Sequence, residues 1–219
     1  MNDIIIRVCI NALPLVLAIT LHEAAHGYVA RMFGDNTAYM LGRVTLNPAK
    51  HIDPVGTIVF PLISMVLGGI IFGWAKPVPV NFNNLRKPKQ DMFWVAAAGP
   101  ASNLVQALVW GALAKVILLS DSGSVVAQFW FNVAVAGISW NVVLAIFNLF
   151  PILPLDGGRI VSSVLPNRLA YSYSRLEPYG MPILISLIVL MMMFRPLGGA
   201  FVALLNAGDQ FFYNLFGLQ

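Results

Sequence analysis

Charge is what this chain most lacks. Only 10% of its 219 residues are charged, against about 25% in an ordinary soluble domain, so a fully hydrated globular surface is excluded. There is one cysteine, Cys9. It rules out an internal disulfide framework, and its place in an apolar run fits a small buried residue. Histidine is nearly as scarce, with His22, His26 and His51 the only three. No internal repeat or low-complexity tract is present, and the polar loops are too short to hold a soluble domain. The first apolar run leads into Leu21-His22-Glu23-Ala24-Ala25-His26 rather than a small-residue cleavage site, so a removed signal peptide is not expected. The net charge of +4 comes from basic residues gathered in a few loops. That distribution reads as a topology signal and not as a nucleic-acid patch.

What the chain has is hydrophobicity: 58% apolar residues and a mean hydropathy of +0.78. A helix crosses hydrocarbon with about 20 apolar residues. Five stretches approach or exceed that: Ile4 to Met32, Val55 to Trp74, Phe93 to Leu119, Val125 to Pro151, and Met181 to Phe216. The last is interrupted by Arg195-Pro196-Leu197-Gly198-Gly199 and is expected to form two segments, the C-terminal helices of about 178–217. The expected class is therefore an all-α polytopic membrane protein. It is one domain over 1–219 with five to six transmembrane or re-entrant segments, since only closed backbone hydrogen bonding survives in lipid. Between Gly34 and Pro54, the run Tyr39 to Leu46 mixes polar, apolar and β-forming residues and suggests a small strand or hairpin beside the membrane.

Basic residues set the orientation. Arg31, Arg43 and Lys50, then Lys76, Arg86, Lys87 and Lys89, then Arg159, Arg168 and Arg175 mark three cytoplasmic loops, and Ser120 to Ser124, without a positive charge, lies outside. Both flanks of Val55 to Trp74 then fall in the cytoplasm, which fits a re-entrant segment. An ordinary spanning helix packed through Gly69-x-x-x-Gly73 is the alternative.

His22-Glu23-Ala24-Ala25-His26 has the pattern His-Glu-x-x-His on a helix. Residues four apart share a face, so both imidazoles can reach one tetrahedral zinc, while Glu23 lies one step round, within reach of a metal-bound water. Inside an apolar helix such groups are costly: a charge at the bilayer centre costs roughly 2.5–3.5 kcal/mol on insertion scales. Counting from Arg7 near the outer boundary, His22 lies about 22 Å along the helix, nearer the cytoplasmic side of a core about 30 Å thick. Zinc needs a third protein ligand, and the candidates are His51 and Asp156. His51 sits in a polar basic loop. Asp156 sits in Asn148-Leu149-Phe150-Pro151-Ile152-Leu153-Pro154-Leu155-Asp156-Gly157-Gly158, where two prolines end a helix and two glycines are expected to turn an extended chain.

With its His-Glu-x-x-His at His22 to His26, its Asn-x-x-Pro-x-x-x-x-Asp-Gly at Asn148 to Gly157 and its Gly99-Pro100-Ala101-Ser102-Asn103 between them, the chain resembles the site-2 protease family of intramembrane metalloproteases. The likeness runs from Leu13 to about Gly158. It implies one Zn2+ per chain held by His22, His26 and Asp156, Glu23 as general base, and Asn148 binding the substrate carbonyl or its oxyanion. It also implies a catalytic core of about 4–158 built on the helices bearing His22, Asn103 and Asp156. Asn103 would stand near the substrate path, with a helix-packing amide as the alternative. The implied setting is the cell membrane, and the implied partners are the lipid bilayer and the transmembrane segments of other proteins. Unlike larger members, the chain has no PDZ insertion and no cystathionine-synthase-like pair. Two other readings use the same residues: a metal transporter or sensor, which has no need of Glu23, and a silent adaptor, in which loss of the base or of a ligand is expected.

Overall fold

Within the described residues the apolar runs fold as helices, the form that satisfies each backbone polar group without water. A computed structural model describes residues 2–51, 53, 56, 59, 76–120 and 123–218. In chain order its helices are α1 (Asn2–Met32), α2 (Thr37–Met40), α3 (Pro88–Ser120), α4 (Val125–Asn148), α5 (Asp156–Val164), α6 (Asn167–Ser174), α7 (Gly180–Met193) and α8 (Arg195–Phe216). Short 3-10 turns lie at Pro48–Lys50, Phe82–Asn84 and Glu177–Tyr179. Four stretches are long and apolar enough to cross a membrane: Ile5–Met32, Pro88–Ser120, Val125–Asn148 and Asn167–Met193. The all-α polytopic architecture is what the described residues adopt.

The long helices α1, α3 and α4 pack on one another, and α5 packs on α3. Small residues let them approach. Ala18, Ala107, Ala134 and Ala145 are buried, and a Cβ at Gly137 on α4 would stand 2.4 Å from the Trp110 ring of α3. Such contacts hold membrane helices together where the hydrophobic effect does not. Helix α8 closes the bundle: Phe212 packs with Ala107, Ile138 and Val142, and the Ser139 hydroxyl donates to Asp209 Oδ2 at 2.9 Å. A second cluster, Ala30, Leu85 and Val95 with Val29, Phe33 and Phe82, sits where α1 ends and α3 begins.

Several expectations need correction. Among the described residues there is no strand. In place of the strand or hairpin suggested at Tyr39 to Leu46 there is α2 followed by turns. The Asp35 carboxylate accepts from the Thr37 N–H at 3.0 Å and from the Thr37 hydroxyl at 2.5 Å, which starts a helical turn, and Gly42 at φ 61° follows its end. The irregular segment 76–80 is fastened to this loop by the Arg43 guanidinium and not by a ladder. The break in the last stretch falls at Phe194. Pro196 then occupies the first turn of α8, where its missing N–H leaves no bond unmade, and Gly198 and Gly199 are helical. The choice between re-entrant and spanning for Val55 to Trp74 lies outside the described residues. Its flanks meet, with the Lys76 N–H donating to His51 O at 2.9 Å.

Candidate metal centre

Helix α1 places His22 and His26 one turn apart on the face that meets α3, and both are buried. Gly99 of α3 makes room for them. A Cβ there would lie 2.4 Å from His26 Nε2 and 2.6 Å from His22 Nε2, closer than any side chain permits. The next residue, Pro100, lies inside α3 and leaves Ala96 O, the carbonyl after Val95 O, without its helical donor. His26 Nδ1 lies 2.7 Å from Val95 O, and His22 Nδ1 lies 2.6 Å from Asn103 Oδ1.

These contacts fix the protons. A carbonyl only accepts, so His26 Nδ1 carries a hydrogen. For His22 the assignment passes through two amides. Asn141 Nδ2 donates to Gly137 O at 2.8 Å, so Asn141 Oδ1 accepts from Asn103 Nδ2 at 2.8 Å, and Asn103 Oδ1 must face His22 Nδ1 as an acceptor. With Nδ1 protonated on both rings, a neutral imidazole at either position presents Nε2 as a lone pair.

The third group comes from the far end of the chain. Asp156 is the first residue of α5, after a loop from α4 in which the Leu153–Pro154 peptide is cis. Gly157 and Gly158 do not turn an extended chain as expected; they lie inside α5. Their lack of a side chain lets the helix start flush against the loop, since a Cβ at Gly157 would stand 2.2 Å from Leu149 O and one at Gly158 2.5 Å from Leu153 N. The loop is also held from outside, by Gly180 packed on Leu153 O and by the Tyr173 hydroxyl donating to Pro151 O at 2.9 Å.

His22 Nε2, His26 Nε2 and the Asp156 carboxylate converge. The separations are 3.1 Å between the two nitrogens, 3.2 Å from His22 to Oδ2 and 3.3 Å from His26 to Oδ1. Ligand atoms of all three lie within 4.8 Å of one another, and Asp156 Oδ2 is buried without a hydrogen-bond donor. With both rings neutral, three electron-pair donors face one another in a buried space and repel unless a cation lies among them. Two imidazoles and a carboxylate are a donor set that suits zinc, and bonds of about 2.0–2.1 Å to one ion would set such atoms about 3.3 Å apart.

The other expected site residues are more dispersed. The half-buried Glu23 accepts the Val78 N–H on Oε2 at 2.7 Å. Asn148 ends α4, with its amide donating to Leu144 O at 3.0 Å. Asn103 is fully buried and spends its polar atoms on His22, Ala18 O and Asn141. His51 is outside the cluster: buried, it caps the Pro48–Lys50 turn and sets Nε2 3.1 Å from Thr45 O. Asn141, Val95 O and Val78 were missed, and Gly99 was seen only within its motif. Only Asn141 had a usable signal, an amide within an apolar helix, which must face protein.

The model of the family described as "Peptidase family M50" matches residues 111–193, a span that holds Asn148 and Asp156 but not α1. "Putative zinc metalloprotease YwhC" of Bacillus subtilis is 38% identical over 211 residues, which is 93% of this chain and 89% of that protein. "Putative zinc metalloprotease Rip2" of Mycolicibacterium smegmatis is 34% identical over 143 residues, 65% of this chain and 52% of that protein. "Putative zinc metalloprotease Rip3" of Mycobacterium tuberculosis is 30% identical over 163 residues, 72% of this chain and 31% of that protein. No solved structure matches the chain significantly. Near-complete mutual coverage with the first of these relatives, together with the family match, leads to one conclusion: the chain belongs to peptidase family M50.

Proposed function

We propose that the chain is an intramembrane zinc metalloprotease of the cell membrane, hydrolysing peptide bonds within or near transmembrane segments of other membrane proteins. The observation that carries this reading is the convergence of His22 Nε2, His26 Nε2 and the Asp156 carboxylate at helices of a membrane bundle. The relatives' printed names supply the metal and the reaction class. These three residues would hold one Zn2+, which when bound supplies Lewis acidity and lowers the pKa of a bound water toward about 7.

The chain's own residues do the rest. Glu23, next to His22, takes the proton of the attacking water and returns it to the departing amine. Asn148 has two amide protons and spends one on Leu144 O; the other can meet the oxyanion of the substrate. Asn103 and Val95 O keep the imidazoles turned so that Nε2 faces inward. A substrate helix must unwind locally, because a carbonyl bonded within a helix is poorly exposed. With Arg7 at the outer boundary, the site lies nearer the cytoplasmic side, from which water would enter.

The test is cleavage of a panel of transmembrane peptides by the purified, zinc-quantified protein. The reading expects turnover that a chelator abolishes and zinc restores, with the cut bond inside or beside the apolar segment. Turnover indifferent to chelation, or none with zinc bound, would sink it.

A further inference from the structure

Among the described hydrogen bonds, Glu23 is the one member of the proposed machinery whose carboxylate is held by a backbone N–H. The donor is Val78, 2.7 Å from Oε2 and 55 positions along the chain. Val78 lies between Pro77 and Pro79, which have no N–H. It is therefore the sole backbone donor of that tripeptide, and a slip of one residue in either direction would bring a proline, with nothing to give, opposite the carboxylate.

The segment is fixed independently of Glu23. Its start is tied to the preceding loop by the Lys76 N–H to His51 O at 2.9 Å and by Arg43 Nη2 to Lys76 O at 2.9 Å and Pro77 O at 3.3 Å. Val78 is buried against α1. One turn beyond Glu23, a Cβ at Gly27 would stand 3.1 Å from Val78 Cγ1 and 2.8 Å from Val44 Cγ2, so the missing side chain there lets the segment lie on the helix. A glutamate otherwise free to turn thus meets a donor that cannot move away. With Oε2 held, Oε1 remains for proton transfer. Holding a reacting group in one orientation removes a cost that each turnover would otherwise bear.

We propose that the Val78 N–H is the positioning donor of the catalytic base: it anchors Oε2 so that Oε1 is presented to the attacking water, and the flanking prolines enforce the register. This rests on the reading of Glu23 as the base. The alternative is a bond that only ties a loop to α1.

The test compares full-length Val78→Ala, which keeps the N–H, with Val78→Pro, which removes it, and with α-hydroxyvaline placed at 78 by suppressor tRNA, which swaps the N–H for an ester oxygen and keeps the side chain. Zinc content, kcat and KM on one transmembrane peptide are measured for each. Outer-sphere partners of this kind are typically worth about 10–100-fold. The proline and hydroxy-acid variants are therefore expected to fall at least about tenfold in kcat below the alanine variant, with KM within about twofold and zinc per chain equal. Should the proline variant fail to fold, the hydroxy acid decides. Equal kcat in the alanine and hydroxy-acid variants, or a loss confined to KM or zinc content, overturns the proposal. Turnover retained by Glu23→Gln would remove the base itself and the proposal with it; a dead Glu23→Gln beside an active hydroxy-acid variant overturns only the positioning role.

Discussion

At the scale of single residues, the account turns on where protons are. His22 and His26 each spend Nδ1–H on an acceptor, and their Nε2 atoms stand 3.1 Å apart, where two neutral rings would offer lone pairs to one ion. Glu23→Gln keeps the shape of the side chain but cannot accept a proton. It is expected to bind zinc as wild type does and to lose hydrolysis by about 10²–10⁴-fold, the usual worth of a general base; turnover well above a chelated control would contradict it. Asn103→Leu removes the acceptor from His22 and leaves Asn141 Oδ1 without its donor. Zinc affinity, read by competition with a chelator, is expected to fall about 10–100-fold. His22, Glu23, His26 and Asp156 stood out in the sequence as candidates because a histidine pair at helical spacing and a lone carboxylate among prolines are conspicuous in an apolar chain, and the fold brings His22, His26 and Asp156 together. For Asn103 two readings stood side by side, the substrate path and a helix-packing amide; its bonds to His22, Ala18 O and Asn141 fit the second, a choice open in the sequence because spacing alone does not say which helix a face meets. Gly99 was visible only as part of a motif; that it accommodates two imidazoles is a fact of packing.

At the scale of elements, the prolines and glycines were recognised as punctuation but partly misplaced. A proline at the start of a helix and one that breaks it look alike in sequence, so Pro196 was taken for a break although it sits in the first turn of α8. Gly157 and Gly158 suggested a turn, but they serve close packing under α5. Gly157→Ala should therefore push α5 off the loop and carry Asp156 with it, lowering zinc content and activity together while the bundle stays helical by circular dichroism. Asp35, just past α1, organises the region where a strand was suggested. It is sealed from solvent though near the surface. Burial raises its pKa, but hydrogen bonds from the Thr37 hydroxyl, Asn84 and the Thr37 and Asn81 N–H groups outweigh that and hold it below the ordinary value of 3.8. A carboxyl depressed in the folded state contributes stability that is complete above its unfolded pKa and is lost as pH falls through the folded value. Asp35→Asn turns an amide donor toward donors. It is expected to cost about 1–3 kcal/mol at neutral pH, read in thermal unfolding, with the gap to wild type narrowing below pH 3.8.

At the scale of the whole molecule, the basic loops expected on one side of the membrane touch: Lys89 Nζ donates to Leu165 O and, at 2.9 Å, to Asn167 Oδ1. Cysteine labels at 87 and at 168 should accordingly react from the same, cytoplasmic face and a label at 123 from the other; opposite faces for the first two would undo the topology. The helical class and the spans at Ile5–Met32, Pro88–Ser120 and Val125–Asn148 were readable from hydropathy, because the bilayer permits little else, whereas the last candidate span, Asn167–Met193, begins before the stretch expected from Met181 and ends short of α8. The short helices α5 and α6 were not, since they are amphipathic pieces inside what looked like a basic loop. The centre that joins the two ends of this arrangement is tested most directly by zinc K-edge X-ray absorption on the loaded full-length protein and on two variants. The account predicts one zinc per chain with two imidazole nitrogens and carboxylate oxygen at about 2.0–2.2 Å. It also predicts loss of the carboxylate oxygen and of most of the zinc in Asp156→Ala, and a wild-type spectrum in His51→Ala. A wild-type spectrum from Asp156→Ala, with one imidazole missing from His51→Ala, would contradict it.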